Sequence, residues 1–156
     1  MSPNITATEP VEPVDTILAP QGAGIPLPEP TVLSKPFWDG CLAGELRYQQ
    51  CAECGRAEFD PNPLCRGCGS DDLEWRVSSG RGTVYSHTEV VRPQTPAFTG
   101  PYVVLIVELD EGYHMVSNLV GCKVSDVRIG MPVRATFHEV DDGVVLPYFR
   151  PVEENT

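Results

Sequence analysis

The chain is expected to be mainly β, with one short N-terminal helix, a metal-stapled ribbon, and a small closed barrel or sandwich. Two Cys-x2-Cys pairs separated by ten residues predict the ribbon. After Cys68 the sequence breaks into about five short alternating segments punctuated by glycine turns, which predicts the barrel or sandwich. Only one stretch ahead of Cys51 carries an apolar stripe at helical spacing.

The first thirty residues contain seven prolines, four acids and no Lys or Arg. Too little apolar surface is available there to offset the entropy of ordering, so residues 1–30 are expected to be flexible or extended. Val14, Ile17, Leu18 and Leu27 are the points at which a partner would hold them. The helix follows within residues 31–46. Ser34 is placed to act as N-cap, and Pro36 sits in the first turn, where its missing N–H does no harm. Phe37, Trp38, Cys41, Leu42 and Leu46 form the stripe, while Gly40 and Gly44 weaken the helix and make it depend on docking.

Leu46 to Gln50 alternates as a strand leading into Cys51, and the ribbon is placed at residues 47–75. The barrel is placed at 76–152, with a short tail at 153–156. Leu73–Val77 and Gly82–Val91 are rich in β-branched and aromatic residues. In Tyr102–Leu109 the residues Val103, Leu105, Val107 and Leu109 share one face. Asp110-Glu111-Gly112 turns this strand into Tyr113–Val120. Val133, Ala135 and Phe137 alternate in the next strand, and Asp141-Asp142-Gly143 returns the chain into Val144–Arg150.

Cys51, Cys54, Cys65 and Cys68 are the candidate metal ligands. Each pair presents two thiolates on one side of a tight turn, and two facing turns make the tetrahedral sulfur cage that zinc prefers. Four thiolates leave no open coordination position, so the expected role of the metal is structural. A rubredoxin-like iron site uses the same ligands, and the spacing separates zinc from iron only weakly. A redox Cys-x2-Cys would not explain the duplicate. Cys41 and Cys122 lie outside the pattern and are expected to be buried or inert.

Acids outnumber bases by 22 to 11, for a formal net charge of −11, which argues against a generic nucleic-acid binder. No stretch is apolar for long enough to cross a bilayer, and Met1–Asp15 has neither the basic nor the hydrophobic region of a secretory signal. A cytoplasmic location is therefore expected, where thiols stay reduced and disulfides fit poorly. No catalytic residue is predicted. His87, His114 and His138 lie on strands, and the chain lacks a nucleophile elbow, a phosphate-binding glycine loop and an HExxH motif.

The segments FWDGCLAGELRYQQCAECG, PNPLCRGCGS, SGRGTVYSHTEV, PYVVLIVELDEG, IGMPVRATF and LPYFRP, in this order, resemble the DUF35 family from about Pro36 to Pro151. The resemblance implies a helical segment, a rubredoxin-like zinc ribbon and an OB-fold barrel, with Cys51, Cys54, Cys65 and Cys68 on structural zinc. It further implies a non-catalytic accessory subunit that accompanies a thiolase-like enzyme, of SCP2-type or acetyltransferase-type, acting on acyl-CoA thioesters. Claisen-type acyl transfer and retro-aldol cleavage are both in the family's range, and steroid side-chain degradation is one setting. Phe37, Trp38 and Leu42 are then candidates for the partner interface or acyl-CoA channel. Lys35, Arg47, Arg56 and Arg66 are candidates for coenzyme A phosphates. Two other readings stay open. One is a single-stranded nucleic-acid-binding OB-fold protein, stacking bases on Tyr85, Tyr102 and Tyr113. The other is a stand-alone acyl-CoA-binding protein.

Overall fold

In the computed structural model, which describes residues 16–152, helix α1 spans Lys35–Leu42. Pro36 lies in its first turn as expected, but Ser34 makes no capping bond through its side chain. Ser34 instead closes a reciprocal pair ahead of the helix: Thr31 Oγ1 accepts the Ser34 N–H at 3.2 Å while Ser34 Oγ accepts the Thr31 N–H at 2.9 Å. Gly40 is needed for close approach: a Cβ there would stand 2.8 Å from Arg47 Cγ and from the Glu45 carbonyl oxygen.

The ribbon is a three-stranded antiparallel sheet of β1 (Arg47–Cys51), β2 (Ala57–Glu58) and β3 (Leu73–Val77), in the order β2-β1-β3. The barrel is formed by β4 (Arg81–Val90), β5 (Tyr102–Leu109), β6 (His114–Leu119), β7 (Pro132–Asp141) and β8 (Val144–Pro151). They close in the order β4-β5-β6-β8-β7, with a parallel contact between β6 and β8 at Leu119 and Phe149. This resolves the choice between barrel and sandwich in favour of the OB-fold. The alternation in β5 sends Val103, Leu105, Val107 and Leu109 inward, each no more than 2% exposed. Gly82 lets β4 cross close over β5, where any Cβ would collide with the Glu108 carbonyl oxygen.

One aromatic column joins helix, ribbon and barrel. Trp38 meets Phe37 edge-on at 5.0 Å, and Phe37 meets Phe59 of the ribbon at 5.3 Å. Phe59 stacks on Tyr113 of the barrel at 6.0 Å, and Tyr113 stacks on Tyr48 of β1 at 5.1 Å. Such offset and edge-to-face pairs each add about 0.5–1.5 kcal/mol beyond the area they bury. At the linker between ribbon and barrel, Ser78 Oγ donates to Glu111 Oε2 at 2.9 Å, so this acid fixes the junction.

From residue 16 on, the segment expected to be flexible or extended lies against the barrel over part of its length. Leu18 is buried; its N–H donates to the Cys122 carbonyl at 2.8 Å, and its carbonyl accepts the Gly121 N–H at 2.9 Å. Gly22 N–H donates to the Ala97 carbonyl at 2.8 Å. Composition opposes autonomous order here, but the turn after β6 offers backbone groups and an apolar site that composition does not reveal. Val14 and the tail at 153–156 lie outside the described residues. No described helix is long and apolar enough to cross a membrane.

Candidate metal centre and adjoining cleft

The end of β1 supplies Cys51, and the turn after it supplies Cys54, because Gly55 N–H bonds back to the Cys51 carbonyl at 2.9 Å. The second turn repeats this, with Gly69 N–H on the Cys65 carbonyl at 2.9 Å. The spacer between them is held by buried Gln49, whose Oε1 accepts the Asn62 N–H at 2.8 Å. All four sulfurs lie within 4.8 Å of one another, and the pairs Cys51–Cys68 and Cys54–Cys65 are each 3.6 Å apart. A tetrahedron with metal–sulfur bonds of about 2.3 Å has edges of about 3.8 Å, so the four sulfurs are gathered at the scale that a zinc ion needs.

The four thiols also perturb one another. The Cys54 N–H, opposed by burial and aided by the Glu53 N–H, pulls Cys51 down to about 7. At Cys68 the Ser70 N–H is outweighed by the neighbouring Cys51 thiol and by burial, and the balance rises to about 12. Cys65 rises too: the Cys68 N–H is outweighed by burial and by the neighbouring thiols of Cys54 and Cys51. Backbone dipoles therefore favour the first thiolate, and a bound cation is what makes the others ionise. Burial pushes Cys41 up to about 12 and Cys122 upward as well, which agrees with their expected inertness.

The strongest polar feature that spacing did not reveal is Glu58, a ribbon carboxylate only 5% exposed. Its Oε1 accepts the Arg66 N–H at 2.8 Å, lies 3.3 Å from Arg56 Nε and 3.4 Å from Cys65 Sγ. Nothing in the sequence marks this acid among the many others; only the β2 pairing, Gln49 opposite Glu58, turns it inward. Beside it a cleft of about 580 Å³ runs between ribbon and barrel, lined by Arg56, Glu58, Phe59, Arg66, Tyr113 and His114 among others.

Of the four candidate phosphate contacts, the fold brings Arg56 and Arg66 to this cleft and keeps Lys35 and Arg47 away from its walls. Lys35 pairs with Asp39 at 2.6 Å, and Arg47 pairs with Glu45 at 2.7 Å while donating to the Pro36 carbonyl at 3.2 Å. Phe37 is 4% exposed and packs in the core cluster, while its ring still borders a surface pocket with Trp38 and Phe59. Trp38 is half-buried beside it, and Leu42, one turn on from Trp38 on the same side of the helix, is exposed. Tyr85 is exposed and packs on His114 at 4.5 Å, Tyr102 stacks on Phe98 at 3.7 Å, and Tyr113 is buried. They do not form a shared stacking face. His87 stands exposed on β4, and His138 meets Tyr148 edge-on at 5.3 Å.

A closed sulfur cage on a three-stranded ribbon, fused to a five-stranded barrel, defines a zinc-ribbon/OB-fold module. Comparison with known proteins agrees. Residues 38–74 match the ChsH2 rubredoxin-like zinc ribbon domain, and residues 75–138 match the ChsH2 C-terminal OB-fold domain. A DUF35 domain-containing scaffold protein of Methanocaldococcus jannaschii is 36% identical, over 72% of this chain and 83% of its own length. The chain belongs to the DUF35 family. The 3-oxo-4,17-pregnadiene-20-carboxyl-CoA hydratase alpha subunit of Mycobacterium tuberculosis is 43% identical, over 68% of this chain and 34% of its own length. The chain thus spans about a third of the hydratase alpha subunits that it matches. Among solved structures, the Ltp2-ChsH2(DUF35) aldolase superimposes with a TM-score of 0.74 at 39% identity, covering 80% of this chain and 98% of the matched one.

Proposed function

We propose that this chain is a non-catalytic accessory subunit of a thiolase-like enzyme acting on acyl-CoA thioesters. It docks the partner through the helix and ribbon, with structural zinc in the four-cysteine cage. The observation that carries this reading is the near-complete coverage of the DUF35 chain matched in the Ltp2-ChsH2(DUF35) aldolase. The hydratase alpha subunit relative, named for a steroid acyl-CoA, supports the same substrate class, and sterol side-chain degradation is the setting it favours.

Retro-aldol cleavage and Claisen-type acyl transfer are both compatible with such a subunit, since the reacting groups belong to the partner. Exposed Leu42, with half-buried Trp38 next to it, supports a partner contact on the helix. Arg56 and Arg66 at the ribbon–barrel cleft support a contact to the phosphates of coenzyme A. On this reading the chain divides into a ribbon at 47–75 and a barrel at 76–152.

Co-expression with the thiolase-like protein encoded nearest to this chain, with purification through a tag on this chain alone, tests assembly. The expected result is a stoichiometric complex that survives size-exclusion chromatography. If the tagged chain elutes alone from every such pairing, the accessory-subunit reading fails.

A further inference from the structure

Arg56 lies across the sulfur cage. A Cβ built on Gly67, in the second cysteine turn, would stand 3.0 Å from Arg56 Cδ and 3.6 and 3.7 Å from the sulfurs of Cys65 and Cys54. The aliphatic stem of Arg56 therefore covers the turn that carries Cys65 and Cys68. Its Nε is held 3.3 Å from Glu58 Oε1, the same oxygen that accepts the Arg66 N–H in that turn.

Four thiolates around a divalent metal leave the centre with two excess negative charges. The buried Glu58 carboxylate adds a third, 3.4 Å from Cys65 Sγ. Once Cys65 is a metal ligand it has no proton to donate to that oxygen. Sulfur and carboxylate then face each other as like charges, and Arg56 is the cation paired with that carboxylate oxygen. Arg66 reaches elsewhere with its side chain, toward Asp60 at 3.8 Å.

We propose that Arg56 and Glu58 form the outer shell of the metal centre: Glu58 fixes the second cysteine turn, and Arg56 neutralises and shields the cage so that zinc is retained. Both are positioning residues, and neither touches the metal. The proposal rests on zinc filling the cage and is independent of any coenzyme A contact.

The test uses the full-length zinc-loaded chain and follows zinc release to a chromogenic chelator in excess. Outer-shell partners typically change metal affinity by about 10–100-fold, so Arg56→Gln is expected to speed release by about that factor. Arg56→Lys, which keeps the charge, should restore most of the retention. The double variant Arg56→Gln/Glu58→Gln removes both charges and should release zinc more slowly than Arg56→Gln alone. Cobalt substitution reads the same centre through its thiolate charge-transfer band. If Arg56→Gln releases zinc at the wild-type rate, the proposal is wrong. If Arg56→Gln purifies without metal, the double variant decides: recovery of bound zinc supports the shielding role, and equal loss overturns it.

Discussion

Substituting Cys51→Ser is expected to abolish zinc binding and unfold the ribbon while the barrel keeps its strands. From 52 to 72 the buried residues are Glu58 and Cys65 alone, so the loops of the ribbon have no hydrophobic core of their own. The metal stands in for that core, and structural zinc supplies on the order of 10 kcal/mol to such units. The barrel's own strands supply Val103, Leu105, Val107, Val133 and Phe149 to the core. Elemental analysis should find less than a tenth of a zinc per chain, by the order of magnitude of the ligand loss. Far-UV dichroism should retain the strand signal. A variant that carries one zinc per chain with an ordered ribbon would contradict this.

Phe37→Ala is expected to cost about 3–5 kcal/mol, the range for removing a buried aromatic side chain. The effect is large because Phe37 is shared: it touches Trp38 on its own helix and Phe59 in the ribbon, and Phe59 stacks on barrel Tyr113. Loss of the ring opens the column at its centre, so helix and ribbon should separate from the barrel before the barrel melts. Chemical denaturation followed by tryptophan fluorescence, which reports Trp38 and Trp75, should then show an early step. A single transition displaced by less than about 1 kcal/mol would mean that Phe37 is peripheral to the fold.

These two positions show how legibility differs within one chain. The cage was visible because metal coordination constrains sequence spacing directly: two tight turns, each with its glycine, leave few other patterns. Strand β5 was visible for a similar reason, since one buried face imposes strict alternation. Phe37 was legible as apolar but not as core. A helical stripe says that a face is buried, not whether its cover is the chain's own barrel or another protein.

Closure of the barrel was beyond local pattern, because the parallel contact between Leu119 and Phe149 joins segments thirty residues apart. Glu58 was hidden for the opposite reason. An acid in a short strand looks like solvated surface until pairing with β1 turns it toward Cys65. The four bases near the helix and ribbon formed one group in sequence, and folding divided it: local acids took Lys35 and Arg47, and the cleft received Arg56 and Arg66.

The measurement closest to the central claim is acyl-CoA turnover by three samples: this chain alone, its thiolase-like partner alone, and the two mixed in equal amounts. The account predicts no turnover by this chain, little by the partner and full activity in the mixture, with the zinc-free Cys51→Ser variant failing to restore it. Turnover by this chain alone, or a partner equally active without it, would contradict the assignment of an accessory role.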